Sequence, residues 1–298
     1  MKITTLFVGL ALSTAPAIAQ VAVENIAPLP ATVATPQMAT VTPFITGLKE
    51  PQGMVVDGIG NLFVCDYGAG KILVFSRTGR ELGEMAPYSI LKGPSAIVRT
   101  DNGDVFVTER KANRVLRFRD TKMDVVMDDI PEPIGLVINP LITSNFGKET
   151  PFSLGVVSHT TSKVYQLLLS NTRERELIYA APAIGAEERY GFRWLVTDAS
   201  TLLMSDEVGE KILMVNRAGR ASTFASGISD PSGIAIGPDK MVYVANEGNG
   251  GQLIRLNSEG EKTIVAEKLG RPRGILFLDA KTALVSNRDG NIWKVVLP

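Results

Sequence analysis

The feature that most constrains this chain is a segment, Pro51 to Phe75, whose pattern recurs along the sequence. It reads PQGMVVDGIGNLFVCDYGAGKILVF, in which short apolar runs alternate with clusters of Gly, Asn and Asp. Apolar runs of this length, bounded by turn-forming residues, are typical of short β-strands joined by hairpins. The segment therefore predicts three strands, at Met54 to Val56, Leu62 to Cys65 and Lys71 to Phe75.

Five copies of the pattern keep one spacing, in which a residue near the start of the first strand stands 13 residues before a polar residue that ends the second strand. The pairs are Gly53 and Asp66, Ala96 and Glu109, Arg193 and Asp206, Gly233 and Asn246, and Gly274 and Asn287. The third copy in the chain is irregular. It begins at Pro133, reaches His159 and carries an insertion at 139–150.

Repeats of roughly 40 residues with three or four strands each are typical of propeller blades. One blade cannot bury both of its faces, so neighbouring blades must stack around a common axis. No segment shows a sustained apolar period of 3.6 residues, which excludes helical solenoids of similar repeat length. The sequence therefore predicts an all-β fold, a six-bladed β-propeller that spans residues 41–298.

The last copy ends at Pro298 after only three strands, which would leave an open sheet edge. The one unassigned strand-like run is VTPFITG at 41–47, directly before the first copy. We expect this run to close the ring as the outer strand of the sixth blade. Pro43 agrees with that position, because proline lacks the N–H that an inner strand must donate.

The first residues have the features of a secretory signal peptide. Lys2 is followed by the apolar run Leu6 to Leu12, and Ala17-Ile18-Ala19 is a typical cleavage site. We therefore expect residues 1–19 to be a signal peptide, residues 20–40 to be an Ala/Pro/Thr-rich linker, and the protein to be exported, to the periplasm or outside the cell.

Composition and charge limit the partners. The 31 basic and 31 acidic residues balance, so nothing indicates a nucleic-acid-binding surface. No later window is apolar enough to predict a membrane span. The single cysteine, Cys65, cannot form an internal disulfide and is expected to be buried in a strand. We expect a monomer whose partner is a small molecule, a peptide or another protein.

The repeat resembles the NHL repeat. The pattern is Pro-x-Gly, an apolar strand, an Asp/Gly turn, an apolar strand that ends in Asp, a turn, and a third strand beginning with Lys or Arg. The best copies are Pro51 to Phe75 and Pro231 to Leu256, with a partial copy at Asp101 to Phe118. The resemblance extends to the gluconolactonase and regucalcin type of six-bladed propeller. It implies the fold and leaves the function open, because such propellers include binding proteins, lyases and lactonases.

In such a blade the entry of the first strand and the end of the second strand meet at one mouth of the central channel, the default ligand site. Gln52, Ser95, Ile134, Phe192, Ser232 and Arg273 are the expected entry residues, and Asp66, Glu109, His159, Asp206, Asn246 and Asn287 are the expected strand-end residues. The mouth residues that we expect to contact a ligand are Gln52, Asp66, Glu109, His159, Asp206, Ser232, Asn246, Arg273 and Asn287.

The strand-end acids have two interpretations. Each is followed five residues later by a cation, in the pairs Asp66 and Lys71, Glu109 and Arg114, and Asp206 and Lys211, whereas the amide copies lack that cation. This covariation favours local ion pairs, or an aspartate that caps its own turn. The alternative is a metal site of Asp66, Glu109 and Asp206. His159, the only histidine, is followed by Lys163, which favours a neutral imidazole.

The resemblance implies one activity that can be checked against the residues of this chain. Gluconolactonase-type propellers bind a divalent cation in the mouth through Glu, Asn and Asp, one of them in a Pro-Asp-Gly entry. The matching positions here are Gln52, Ser232 and Arg273, and a cation at Arg273 would oppose a bound metal. We therefore expect a binding or scaffold propeller without a cofactor. The alternatives are a lactonase using Ca²⁺ or Zn²⁺, and a lyase with His159 as its base.

The sequence also predicts on which side of the propeller two longer segments lie, and where both tryptophans pack. The stretch Ala181 to Tyr190 is a longer entry loop on the mouth side, and the 139–150 insertion should project from the opposite side. Trp194 and Trp293 lie in strand-like segments, where packing between blades is the expected role.

Overall fold

The computed structural model describes residues 37–85, 91–120, 122–138, 153–168, 175–181, 191–198, 201–216 and 218–298. Within these ranges the chain forms β-strands and two single-turn 3₁₀ helices, Arg110–Ala112 and Gly248–Gly250. No helix in the described ranges has the length and apolar character needed to cross a membrane. The predicted signal peptide and most of the predicted linker lie outside the described residues.

The strands form six four-stranded antiparallel sheets, which are the blades of a propeller. The first strand of the chain, β1, is Thr40–Ile45. The first three blades are β2 to β5 (Pro51–Val56, Leu62–Asp66, Lys71–Phe75, Glu81–Glu84), β6 to β9 (Pro94–Arg99, Val105–Glu109, Arg114–Arg119, Lys122–Met127) and β10 to β13 (Pro133–Ile138, Ser153–Ser158, Lys163–Leu168, Arg175–Ala180). The other three are β14 to β17 (Phe192–Asp198, Thr201–Asp206, Lys211–Asn216, Ala221–Ser226), β18 to β21 (Pro231–Ile236, Val242–Asn246, Gln252–Leu256, Lys262–Glu267), and β22 to β24 (Pro272–Phe277, Thr282–Asn287, Asn291–Val296).

Burial decreases from the first strand of a blade to the last. In the first blade, β2 is buried over its first four residues, whereas β5 is exposed or half-buried throughout. This gradient is expected when the first strand lines the axis and the fourth faces solvent. It explains why the inner strands read as continuous apolar runs and the outer strands are polar.

The hydrophobic core is divided into six clusters, each lying between two adjacent blades. One cluster joins Val64 and Phe75 of the first blade to Leu284 of the sixth. Another joins Cys65 of the first blade to Val107 of the second. The other four repeat this arrangement around the ring. Because each core needs two blades, the ring must close for all six cores to be complete.

The predicted closure is confirmed. β1 pairs antiparallel with β24 and is the outermost strand of the sixth blade. Pro43 lies at an irregularity in the pairing, between Pro43 and Ile45, where the missing N–H is tolerated. Ile45 is buried in the cluster between the sixth and first blades. The strand is therefore both the last strand of the sheet and part of a core.

Other expectations can be assigned to the described residues. Cys65 is fully buried, as predicted. Trp194 and Trp293 are partly buried and pack against the cores between blades, which also agrees with prediction. The 139–150 insertion lies outside the described residues, and so does the entry loop after Ala181.

Candidate functional site

The entry of each first strand and the end of each second strand meet at one end of the channel, as predicted. In the first blade Pro51 lies opposite Asp66, and in the second Pro94 lies opposite Glu109. The other pairs are Pro133 with Ser158, Phe192 with Asp206, Pro231 with Asn246, and Pro272 with Asn287. This register defines equivalent positions in all six blades, so each residue of the mouth can be compared with its five counterparts.

The residue after each entry residue faces its neighbours around the axis. These six residues, the entry ring, are Gln52, Ser95, Ile134, Arg193, Ser232 and Arg273, and all are buried. Ser95 Oγ donates to Gln52 Oε1 at 2.6 Å, and Arg273 Nη1 donates to Ser232 Oγ at 3.1 Å. The prediction of Phe192 for the fourth blade is wrong, because Phe192 occupies the proline position and Arg193 the ring position.

The strand-end residues hold the chain segments that connect neighbouring blades. This strand-end ring is Asp66, Glu109, Ser158, Asp206, Asn246 and Asn287. The Asp66 carboxylate accepts the backbone N–H groups of Lys49 and Glu50 at 2.9 and 2.8 Å. Glu109 accepts the N–H of Lys92 at 2.6 Å. At these positions a buried polar group satisfies backbone groups, a structural role.

The predicted ion pairs are found in two of three blades. Glu109 pairs with Arg114, and Asp206 lies 3.8 Å from Lys211. The pair of Asp66 with Lys71 is wrong, because Lys71 pairs with Glu84 of the outer strand. The alternative for Asp66 agrees with the structure, since its carboxylate also accepts the N–H of Ala69 in its own turn.

The two amide copies differ from each other. Asn246 lies opposite Gln252 in the strand pairing and donates to its side-chain oxygen at 3.3 Å. In the fifth blade an amide pair therefore replaces the acid–cation pair at the same place. In the sixth blade Asn287 donates instead to the carbonyl of Leu269 at 2.7 Å.

His159 does not occupy a strand-end position. Ser158 is the residue opposite Pro133 and Lys163, so Ser158 is the counterpart of Asp66 and Glu109. The predicted alignment was one residue out, because the insertion interrupts the spacing on which it depends. His159 instead begins the turn after the second strand.

Six residues that begin these turns form a mouth ring around the channel opening. They are Tyr67, Arg110, His159, Glu207, Glu247 and Arg288. The backbone N–H of each donates to the carbonyl of the residue that directly precedes the first strand of the same blade. The acceptors are Glu50, Gly93, Glu132, Gly191, Asp230 and Arg271, at distances between 2.9 and 3.1 Å. Five of the six mouth-ring side chains are Arg, Glu or His, and four of these five were not predicted as site residues.

Ion pairs link the mouth ring to the entry ring and to the residues before the entries. Arg193 lies 2.5 Å from Glu207, and Arg273 lies 2.5 Å from Glu247. Arg288 pairs with Glu50 at 2.9 Å, and Arg110 with Glu132 at 3.1 Å. Arg193 also lies 3.9 Å from Asp230. The mouth therefore contains several arginine–carboxylate pairs that are contributed by different blades.

Burial perturbs several of these groups. Burial lowers the pKa of Arg273 to about 9, and the neighbouring Arg193 adds to this effect. Burial raises the pKa of Glu247 and of Asp230, in spite of the arginines beside them. Burial also tends to raise the pKa of Glu207, but the hydrogen bond and the charge of Arg193 outweigh burial, so the pKa is lowered overall.

The pairing leaves buried polar atoms unsatisfied. Within the described residues, the Nε atoms of Arg193 and Arg273 are buried and have no hydrogen-bond partner. Arg273 is only 3% exposed. A buried donor without a partner lowers the stability of the fold by about 1–3 kcal/mol, so its presence requires an explanation. Clusters of perturbed and strained polar groups in a concave surface are typical of functional sites.

His159 is held in one orientation and one protonation state. Its Nδ1 lies 2.9 Å from the carbonyl oxygen of Phe192, so this nitrogen carries the proton and donates. Burial lowers the pKa of His159, and the charges of Arg110 and Arg193 lower it further. In the described part of the chain, Nε2 has no hydrogen-bond partner. The sequence predicts a neutral imidazole because of Lys163. In the structure the imidazole is neutral because of burial and the charges of Arg110 and Arg193.

This neutral histidine gives a prediction about stability. The folded pKa lies below the unfolded value of about 6.5, so the unfolded chain takes up the proton first as the pH falls. The contribution of His159 to stability is therefore present above about pH 6.5 and is lost below it. We expect His159→Asn, whose amide can also donate to the Phe192 carbonyl, to lose less stability than the wild type between pH 7.5 and 5.5.

Urea unfolding of both proteins at several pH values measures this difference. Glu207 and Glu132 face His159 and titrate in both proteins, so the comparison removes most of their effect. Parallel pH profiles for the two proteins would contradict the prediction.

The carboxylates proposed for a metal do not come together. Asp66, Glu109 and Asp206 belong to three different blades and bind backbone groups or cations there. Among the described residues, no three His, Cys, Asp or Glu side chains lie close enough to share a metal ion. The structure therefore does not assemble the alternative metal site of Asp66, Glu109 and Asp206. Burial raises the pKa of Cys65, which places no thiolate at the mouth.

Comparison with known proteins agrees with the fold. No family model matches the chain, and no curated protein does. Solved six-bladed propellers do match. A gluconolactonase from Xanthomonas campestris has a TM-score of 0.70 at 13% identity, with 87% of this chain and 90% of that chain covered. Virginiamycin B lyase from Staphylococcus aureus has a TM-score of 0.62 at 15% identity, covering 87% and 99%.

A third match is an auxiliary nutrient binding protein from Bacteroides thetaiotaomicron, with a TM-score of 0.66, 11% identity and coverage of 87% and 76%. At such low identity these likenesses define the fold. The chain is a six-bladed β-propeller of the shape shared by gluconolactonases and virginiamycin B lyases, so the resemblance seen in the repeat is confirmed at that level.

Proposed function

We propose that this chain is an exported propeller that binds a polar small molecule or a peptide in its mouth. The observation that carries the proposal is the mouth ring, where Arg110, His159, Glu207, Glu247 and Arg288 converge from five different blades. Export rests on the signal-like features of residues 1–19, and amino-terminal sequencing of the mature protein tests it.

The fold alone does not require these charges. In the first blade Tyr67 occupies the same position, and its backbone makes the same hydrogen bond to the residue before the entry. Replacing a buried ion pair by apolar side chains is often neutral or stabilising, because desolvation offsets the attraction. At these positions the backbone hydrogen bond forms whichever side chain is present. The charged side chains are therefore better explained by recognition of a ligand.

The ring also favours ligands that carry both donors and acceptors. Glu207 and Asp230 are partly exposed and can accept hydrogen bonds, whereas the partly exposed Arg288 can donate them. His159 lies in the neighbouring third blade, and its Nε2 is an acceptor that has no hydrogen-bond partner among the described residues. A polyhydroxylated compound or the polar end of a peptide fits this mixture better than an apolar ligand.

A screen with a matched pair of variants tests the proposal. Sugar acids, amino acids, dipeptides and oligosaccharides are added to the purified protein, and the melting temperature is measured. We expect at least one class to raise it, with affinity roughly tenfold weaker in Glu207→Gln, which removes a mouth charge. Arg117→Gln is the control, because Arg117 pairs with Asp124 on the outer strands, away from the mouth.

Equal affinity in Glu207→Gln and in the control would contradict binding at the mouth. Hydrolysis of D-glucono-1,5-lactone that depends on added Ca²⁺ or Zn²⁺ would replace the proposal with the lactonase alternative. The match to a gluconolactonase makes this the first activity to exclude.

A second candidate is a lyase in which His159 is the base. It is favoured by the geometry of His159, whose donation to the Phe192 carbonyl leaves Nε2 unprotonated at the mouth. A lowered pKa keeps this nitrogen available at neutral pH. Incubation with virginiamycin B or quinupristin, followed by mass spectrometry, tests the candidate. Turnover by the wild type that His159→Ala abolishes would support it, and turnover that survives the substitution would exclude this role.

A further inference from the structure

A cavity of about 310 Å³ lies beside the mouth ring, between the first and second blades. One side is the turn after β3, residues 67–70, and the other is the connection at 91–93 together with Lys111. The cavity opens on the same end of the propeller as the mouth. It shares Tyr67 with the mouth ring but contains none of the five charged or histidine side chains proposed above to bind the mouth ligand.

The walls of this rim pocket are fixed by the backbone. Leu91 donates its N–H to the carbonyl of Gly70 at 2.8 Å, which joins the two sides. Gly93 has a φ of +68°, and a Cβ there would lie 2.7 Å from the Tyr67 ring. A larger residue at position 93 would therefore displace the ring. Tyr67 and the two connecting segments form a preformed surface.

The charges of the rim pocket differ from those of the mouth. The mouth arginines Arg110, Arg193, Arg273 and Arg288 are all ion-paired. Among the described residues, Lys92 and Lys111 have no carboxylate partner. Lys111 Nζ lies 4.6 Å from the centroid of the Tyr67 ring, which holds it over the aromatic face.

The buried acids at the ends of the second strands beside this pocket have other partners. Glu109 is buried, pairs with Arg114 and accepts the backbone N–H of Lys92. Asp66 is buried and accepts three backbone N–H groups. The protein as a whole has no net charge, so this sector is a local excess of positive charge around a cavity.

We propose that the rim pocket binds the oxyanion, a carboxylate or a phosphate, of a small molecule. Lys92 and Lys111 supply two ammonium groups that can donate to its oxygens. The Tyr67 ring and Leu91 supply a surface for the uncharged part of the same molecule. The site shares Tyr67 with the mouth ring but none of the ring's charged side chains, and this proposal does not depend on the function proposed above.

The test uses inorganic phosphate, D-gluconate and neutral D-glucose as probes, with binding measured by calorimetry at low ionic strength. We expect phosphate or gluconate to bind and glucose to bind at least tenfold more weakly. The relative affinities of phosphate and gluconate identify which oxyanion is preferred. Binding should weaken as salt is added, because Lys92 and Lys111 are exposed and their charges are screened by dissolved ions.

Two double variants with the same charge change make the result specific. In Lys92→Gln/Lys111→Gln the affinity for the bound anion should fall roughly tenfold or more. In Lys122→Gln/Lys281→Gln, where both lysines are exposed and lie elsewhere, it should be unchanged. Equal losses in both variants, unchanged binding in the first, or no binding of either anion up to about 10 mM would each overturn the proposal.

Glu207→Gln separates the two sites. This mouth variant should bind phosphate at the rim pocket as the wild type does, and phosphate is the probe here because gluconate belongs to the sugar acids that are screened at the mouth. A loss there would mean that the anion binds in the mouth, and the rim proposal would be wrong.

Discussion

Removal of strand β1 is expected to lower the melting temperature by about 10 °C or more, because it opens the ring. β1 supplies the outer strand of the sixth blade and places Ile45 in the core between the sixth and first blades. Phe44 and Val41 pack against the neighbouring cores. Burial of each large apolar side chain contributes about 1.5–3 kcal/mol, so the loss amounts to roughly 5 kcal/mol.

The comparison is between a chain that begins at residue 37 and one that begins at residue 46. Both lack residues 1–36, so the difference in thermal unfolding measures the contribution of β1. If the shorter chain does not fold, point substitutions give the same information. Ile45→Asp places a charge in the core and should destabilise strongly, whereas Thr42→Asp, on the exposed side of the same strand, should have little effect.

Similar melting temperatures for Ile45→Asp and Thr42→Asp would contradict closure by this strand. So would similar melting temperatures for the two shortened chains. Either result would mean that the five remaining interfaces between blades hold the propeller together without the sixth.

The fold could be predicted because the copies of the repeat can be compared with one another within this one sequence. The copies in the first, second, fifth and sixth blades keep one spacing between the first and second strands, and each blade of the structure begins where a copy does. The closing strand followed from an unpaired edge and one remaining apolar run. These are constraints that any sequence with this repeat must satisfy, and side-chain detail does not alter them.

The site was harder to predict because one residue of slippage changes which way a side chain faces. In the fourth blade the hairpin between β14 and β15 is one residue shorter, since Phe192 pairs with Asp206 where Pro51 pairs with Asp66. Counting a constant interval therefore put Phe192 on the axis in place of Arg193. In the third blade the insertion put His159 in place of Ser158.

The mouth ring was missed for a different reason. Its members change in charge and residue type around the ring, with one Tyr, one His, two Arg and two Glu, so no single consensus residue marks the position. That variation is itself the signal that would have revealed it. Positions that the fold uses keep their residue type, as the strand-end acids and amides do. A polar position whose charge changes sign from blade to blade, next to a position that keeps its type, indicates a role specific to this chain.

The largest expected effect of a single methyl group is at Gly233. A Cβ at this position would lie well inside van der Waals contact of the Arg273 carbonyl oxygen in the next blade. The atom it meets is backbone, so it cannot move aside as a flexible side chain would. Gly233→Ala is therefore expected to reduce the free energy of unfolding by about 2–4 kcal/mol, measured by urea or thermal unfolding.

Gly58→Ala is the matched control. Gly58 lies in the turn between β2 and β3, and a Cβ there would meet no atom within 4 Å. Its substitution should be neutral or slightly stabilising, by up to about 1 kcal/mol, because alanine reduces the freedom of the unfolded chain. If both variants unfolded alike, the close approach of the inner strands would not be what limits residue size at the entries.

The other entries allow a graded version of the experiment. Gly53 and Gly135 hold the equivalent position in the first and third blades, where a Cβ would lie 2.5 and 2.6 Å from the carbonyl oxygens of Ser95 and Arg193. Their alanine variants should lose less stability than Gly233→Ala. The second blade already has Ala96 at this position, so the entries are not equally close around the ring. An order of stability that follows these distances would show that contact between adjacent inner strands sets the diameter of the channel, and with it the spacing of the mouth charges.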